Sequence, residues 1–150
     1  MLRSLFITSA AALILAGCTE TPPITEQGEE MSKANVSVAD VGLFLDGTTI
    51  DWMYPSSGAR MILSFENGLA QYEWIAGARK GNVVTGIPYQ SRQISDNVYL
   101  LNWVQPEKPD FITLIFDFNE NVAFSSGLLG YGTERQRNLF LNGVIYSVER

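Results

Sequence analysis

Six large aromatic residues, Trp52, Tyr54, Tyr72, Trp74, Tyr99 and Trp103, lie in segments whose apolar residues alternate, and Arg60, Glu73 and Arg92 lie among them. Residues two apart on a strand share a face, so Trp52 and Tyr54 point the same way. Rings lining the inside of a sheet could stack a planar or apolar ligand, with tyrosine hydroxyls fixing its polar end. The same rings could be plain core, because strands favour aromatics. A charged side chain turned inward is costly unless paired. Arg60, Glu73 and Arg92 therefore mark a polar ligand group, a buried ion pair or simply the outer surface. The fork of Arg92 suits a ligand carboxylate, while pairing of Glu73 with Arg60 or Arg92 is the structural use. The expected ligand-binding set is the six rings together with Glu73 and Arg92.

Composition restricts the chemistry further. The chain has no histidine, so the commonest general base and metal ligand are missing. Its single cysteine, Cys18, excludes an intrachain disulfide, a thiolate zinc site and Cys-His catalysis. No residue is assigned a catalytic role, and no cofactor or metal is expected. Asp117 to Asn121 alternates oxygen-bearing side chains but lacks the glycine and spacing of an EF-hand; a hairpin turn explains it. Gly127 to Gly132 lacks the Lys-Ser/Thr of a phosphate loop. The formal charge of −6, with no basic stripe, argues against nucleic acid as a partner.

The elements that must position these residues are short strands. Alternation covers residues 48–54, 60–66 and 69–76, with Asn67-Gly68 as a strong hairpin signal between the last two. Residues 77–86 look like a loop. Further strands are expected over 89–94, 98–105, 111–118, 122–129 and 139–148, the last split at Asn142-Gly143. Residues 38–45 could form one short helical turn. An even run of about eight hairpin-linked strands closes most simply into a small antiparallel up-and-down β-barrel of calycin or lipocalin type, because closure removes exposed edges. A β-sandwich is the alternative all-β arrangement.

The N-terminal residues have a different character. Arg3 precedes an apolar run, residues 5–16, too short to span roughly 30 Å of hydrocarbon. It fits a secretory signal. Leu15-Ala16-Gly17-Cys18 resembles the lipobox of bacterial lipoproteins, which implies a diacylglyceryl group on the Cys18 sulfur, palmitate among the anchoring acyl chains, and a membrane partner through that anchor. Thr19 follows the cysteine; the lack of aspartate there points to the outer membrane, inner leaflet, facing the periplasm. Residues 19–35 are acidic and polar with Pro22-Pro23, as in a flexible tether. The expected organisation is a signal peptide over 1–17, lipidated Cys18 and linker over 18–35, and a barrel domain over 36–150.

The central part of that domain resembles the calycin-like barrels of the phenolic acid decarboxylases and MoaF-like proteins. The matches are Gly47, Trp52-Met53-Tyr54, Gln71-Tyr72-Glu73, Gly77, Gly81, the run from Asn97 to Trp103, and Thr113 to Phe118; Thr85 to Ser91 is nearer the MoaF-like pattern. The resemblance implies a barrel with an aromatic-lined interior. It does not carry decarboxylation over: Trp52 replaces one of the family's tyrosine pair, Glu73 stands at the arginine position, and Pro88 stands at or beside the glutamate position. Three functions remain: a lipid-anchored envelope protein binding a small apolar or aromatic ligand, an interaction protein with a filled barrel, and a lyase-like enzyme using Tyr54, Glu73 and Arg92. An empty interior above a few hundred Å³ would favour the first over the second.

Overall fold

The computed structural model describes residues 42–150. The expected signal peptide, Cys18, the tether and residues 38–41 of the suggested helical turn lie outside the described residues. Residues 44–47 form a turn that does not continue into a helix.

Nine strands follow: β1 (Thr49–Tyr54), β2 (Ala59–Glu66), β3 (Leu69–Ala76), β4 (Val83–Pro88), β5 (Gln90–Ser95), β6 (Val98–Val104), β7 (Phe111–Asp117), β8 (Val122–Leu129) and β9 (Arg137–Glu149). They make one curled antiparallel sheet in the order β4-β3-β2-β1-β9-β8-β7-β6-β5. A single hydrogen-bonded order is one continuous sheet, so the two separate layers of the sandwich alternative do not describe it. Only Tyr89 separates β4 from β5, too few residues for a hairpin loop to reverse the chain. The two are halves of one kinked strand, the first paired with β3 and the second with β6. That strand joins the two ends of the sheet, so the nine segments act as eight strands around a ring.

Two sequence expectations need correction. Residues 77–86 are not wholly loop, since β4 begins at Val83. Gln71 faces two residues of β4, Thr85 and Gly86, and this bulge breaks the alternation that would have revealed the strand. β9 is also not split at Asn142-Gly143 but runs unbroken through both. Gly143 is there for space. A Cβ built on it would lie 2.7 Å from Trp52 Cδ1 and 3.2 Å from Met53 O. Asn67 and Gly68, by contrast, form the anticipated turn, with φ of 53° and 76°, the positive pair that a type I′ hairpin requires.

Inward residues alternate along most strands. Ile50, Trp52 and Tyr54 of β1, Met61, Leu63 and Phe65 of β2, and Tyr99, Leu101 and Trp103 of β6 are all buried. The barrel's two ends differ. At one end Leu45 is fully buried, and the Asp46 carboxylate accepts the Tyr89 hydroxyl at 2.6 Å and the Gly68 N–H at 3.0 Å. The Gly42 backbone bridges Ser91 on the kinked strand, and the Ser91 hydroxyl donates to Gly42 O at 2.9 Å. These contacts fasten the N-terminal turn across the base. The longer connections, β3–β4, β6–β7 and β8–β9, gather at the opposite end with the β1–β2 turn.

Gly143→Ala should destabilise the fold by about 1–3 kcal/mol through overpacking against Trp52. Urea denaturation followed by tryptophan emission checks this; a midpoint unchanged from the parent chain would show that the indole does not occupy that space.

Candidate functional site

The interior is not filled. A cavity of about 510 Å³ opens at the loop-bearing end, with Trp52, Tyr54, Met61, Tyr72, Trp74, Trp103 and Leu114 among its walls. Its volume comes from small residues facing large ones. Along β8 the inward positions are Ala123, Ser125 and Gly127, and Gly143 faces inward on β9. The rings come mainly from β1, β3 and β6. Tyr72 and Trp103 stack with centroids 6.5 Å apart and planes 28° apart, and Trp52 meets Phe116 edge-on at 5.2 Å.

Few polar groups enter this interior, and most are paired. The Tyr54 and Ser125 hydroxyls are 2.7 Å apart and buried. Gln105 Oε1 accepts from Tyr72 Oη at 3.2 Å and from Trp103 Nε1 at 3.4 Å. With its oxygen committed twice, the amide nitrogen of Gln105 is left as a donor with no partner among the described residues. Trp52 Nε1 is buried without a partner among the described residues, close against the Gly143 backbone.

Burial raises the pKa of the Tyr54 and Tyr72 phenols above the ordinary 10.0; the Ser125 bond to Tyr54 and the nearby Arg79 beside Tyr72 offset this only partly. Tyr89 at the base is also raised, by burial and then by donating to the Asp46 carboxylate. All three remain neutral at pH 7.

The structure divides the eight expected site residues. Trp52, Tyr54, Tyr72, Trp74 and Trp103 line the cavity. Tyr99 is buried but lies apart from it, beside Phe118 at 5.4 Å and under the Arg150 guanidinium. Glu73 is exposed and falls between Tyr72 and Trp74, so strand alternation turns it outward. Arg92 is half-buried with the opposite parity to buried Ser91, opposite Leu100 on the outer face. Arg60 is also outside, forked onto Asp51 at 2.8 and 2.6 Å and lying over the Tyr146 ring. The acid–base set of Tyr54, Glu73 and Arg92 is therefore not assembled.

Sequence reasoning missed Ser125, Gln105 and the rim of the opening. Arg79, Lys108, Arg135 and Arg137 all line the mouth, with Asp110. One signal could have found them: in an up-and-down meander every second connection lies at the same end. A second hollow, about 550 Å³, lies beside the β2–β3 hairpin, with Thr49, Ser64, Glu66, Asn67 and Gln71 in its lining. Four of those five are outward strand residues and Asn67 lies in the turn; Phe65 is the one ring in this hollow's lining, against the cluster of rings around the interior.

No family model matches the chain, and no curated protein matches it. Among solved structures it is similar to a crystal structure from Burkholderia vietnamiensis described as a "putative beta-lactamase". The match has a TM-score of 0.58 at 14% identity and covers 68% of this chain and 93% of that one. At that identity the likeness concerns the fold alone.

The raised phenol pKa values set a pH dependence. Below pH 10 these tyrosines are neutral in both folded and unfolded chains. Above it the unfolded chain ionises while the folded chain resists, so stability falls as pH climbs beyond about 10. Absorbance titration should show Tyr54, Tyr72 and Tyr89 ionising only together with loss of structure. Six tyrosines titrating freely near pH 10 in the folded chain would contradict the buried environments described above.

Proposed function

We propose that this chain is a lipid-anchored protein of the bacterial cell envelope whose barrel binds a small apolar or aromatic ligand. The observation that carries the binding reading is the hollow interior of about 510 Å³, within the range of roughly 300–1,000 Å³ typical of small-molecule sites. A barrel serving only as an interaction scaffold has no need of a ring-lined void, which forfeits packing along its walls. The MoaF-like and calycin resemblance accords with this reading, because it too implies an aromatic-lined interior.

The name attached to the Burkholderia structure raises a hydrolase alternative, with Ser125 as the obvious nucleophile. The surroundings favour binding instead. A serine needs an adjacent base, and its partner here, Tyr54, is held protonated by burial. The anchor reading rests on separate ground, the lipobox-like Leu15-Ala16-Gly17-Cys18.

The full chain should bind N-phenyl-1-naphthylamine, a neutral fluorophore that brightens in apolar surroundings. Gly127→Leu, which places a branched side chain in the cavity beside Ile112, should weaken that binding by about ten-fold or more, as expected when 1.4 kcal/mol or more of contact is blocked. Circular dichroism verifies that the variant is folded. Absence of probe binding to the parent chain, or equal binding by a folded Gly127→Leu variant, would overturn the cavity assignment. For the anchor, bacteria fed labelled palmitate should label the parent chain and not Cys18→Ser; equal labelling of the two would exclude Cys18 as the acceptor.

A further inference from the structure

The opening of the cavity has a charge unlike that of the whole chain. The sequence is acidic, with formal charge −6. Yet Arg79, Lys108, Arg135 and Arg137, half of the eight Lys and Arg residues between positions 42 and 150, line this one mouth. They arrive from three separate places: the β3–β4 loop, the β6–β7 loop, and the β8–β9 loop with the start of β9. Of the residues lining the cavity only Asp110 is acidic, and its Oδ1 accepts the Gly130 N–H at 2.7 Å within its own rim. Among the described residues the one salt bridge is Arg60–Asp51, on the outer face. The four cations are thus without a carboxylate within 4.0 Å among the described residues. Like charges gathered around an opening repel one another and are better tolerated when an anion sits between them; low-dielectric walls also focus their field into the opening.

We infer that the ligand is an amphiphilic organic anion, its apolar or aromatic body among the rings and its acidic group at the mouth among Arg79, Lys108, Arg135 and Arg137. This rests on the binding reading above and adds the ligand's chemical class. The interior matches the body: Trp52, Tyr72, Trp74 and Trp103 present ring surface, and the Arg79 guanidinium, 5.6 Å from the Trp74 ring centroid, brings the rim charge to their edge. The amide nitrogen of Gln105, freed by the double commitment of its oxygen, adds a neutral donor. A guanidinium meets a carboxylate or phosphate with paired N–H donors, and three of the four rim cations are arginines. A cationic or zwitterionic head would meet like charge at the same rim.

The test compares ligands that share a body and differ in head. Displacement of N-phenyl-1-naphthylamine from the full chain is measured with 1-naphthylacetate, its neutral amide 1-naphthylacetamide and the cation 1-naphthylmethylammonium. At low salt the acid should bind about ten-fold or more tightly than the amide, and the cation least well. The margin should shrink as salt screens the rim. In the quadruple variant Arg79→Gln, Lys108→Gln, Arg135→Gln, Arg137→Gln, the ratio of acid to amide affinity should fall close to one. Acid and amide binding equally to the parent chain would overturn the proposal while leaving the cavity standing. A parent chain that never binds the fluorophore would remove the binding reading itself. A second arm adds phosphatidylglycerol vesicles in place of the free acid. Binding of the chain to vesicles through the four cations, with the fluorophore left in place, would assign the rim to a membrane surface and overturn the proposal as well.

Discussion

The size of the inward side chains on one short strand decides what this barrel can be. A ring of eight strands is just wide enough for its own side chains to fill or for one small ligand to enter. Here β1, β2, β6 and β7 send Trp52, Phe65, Trp103 and Phe116 inward, which would plug the centre if the remaining strands did likewise. β8 instead offers Ala123, Ser125 and Gly127. The kinked strand closes the ring, and the void lies where large residues face small ones. The same complementarity explains the two-sided role of glycine on the neighbouring strand: Gly143 leaves room for an indole, and the indole in turn becomes cavity wall.

The polar groups inside follow from that void. A buried hydroxyl or amide without a partner costs about 1–3 kcal/mol, so each must be paired or placed beside space that something else fills. Tyr54 and Ser125 satisfy one another, and Gln105 gathers the donors of Tyr72 and Trp103 onto one oxygen. These bonds hold three rings in fixed orientations without introducing charge. The result is a wall that is stiff, mostly apolar and neutral at pH 7. Such a wall can recognise shape and ring surface, and it leaves any recognition of charge to the rim.

Much of the fold was legible in the sequence, because a half-buried strand leaves a period-two trace. Residues 69–76 and 122–129 coincide with β3 and β8, and Asn67-Gly68 announced its turn through the need for two positive φ values. The lost strand, β4, was hidden by a bulge that shifts the inward position from Val84 to Ile87. The false break in β9 arose because Gly143 has the composition of a turn and the purpose of a gap. The site was legible in part. Tyr72 and Trp74 share a face, and Glu73 between them cannot, so the alternation that located the rings also excluded their acid. Arg92 was different: its parity relative to the rings depends on how β5 registers with β6, which no local pattern reveals. Ser125 carried no signal because a small polar residue in a strand is unremarkable until the size of its opposite neighbour is known.

The two ends of the barrel divide its labour. At the base, short turns meet the buried Leu45 and the Asp46–Tyr89 contact, and Tyr99, Phe118 and Arg150 pack together at that end. At the mouth the connections lengthen, and cations from three of them meet. Tight connections suit a stopper, since they expose little unpaired backbone; longer ones suit an entrance, since their side chains can reach across it. The asymmetry is also electrostatic. With half of its described cations gathered at one rim, the remainder of an already acidic surface is more negative than the total suggests. The anion inferred above would be repelled elsewhere and drawn to the mouth. On that reading the arrangement of loops would set the direction of entry before any contact with the rings is made.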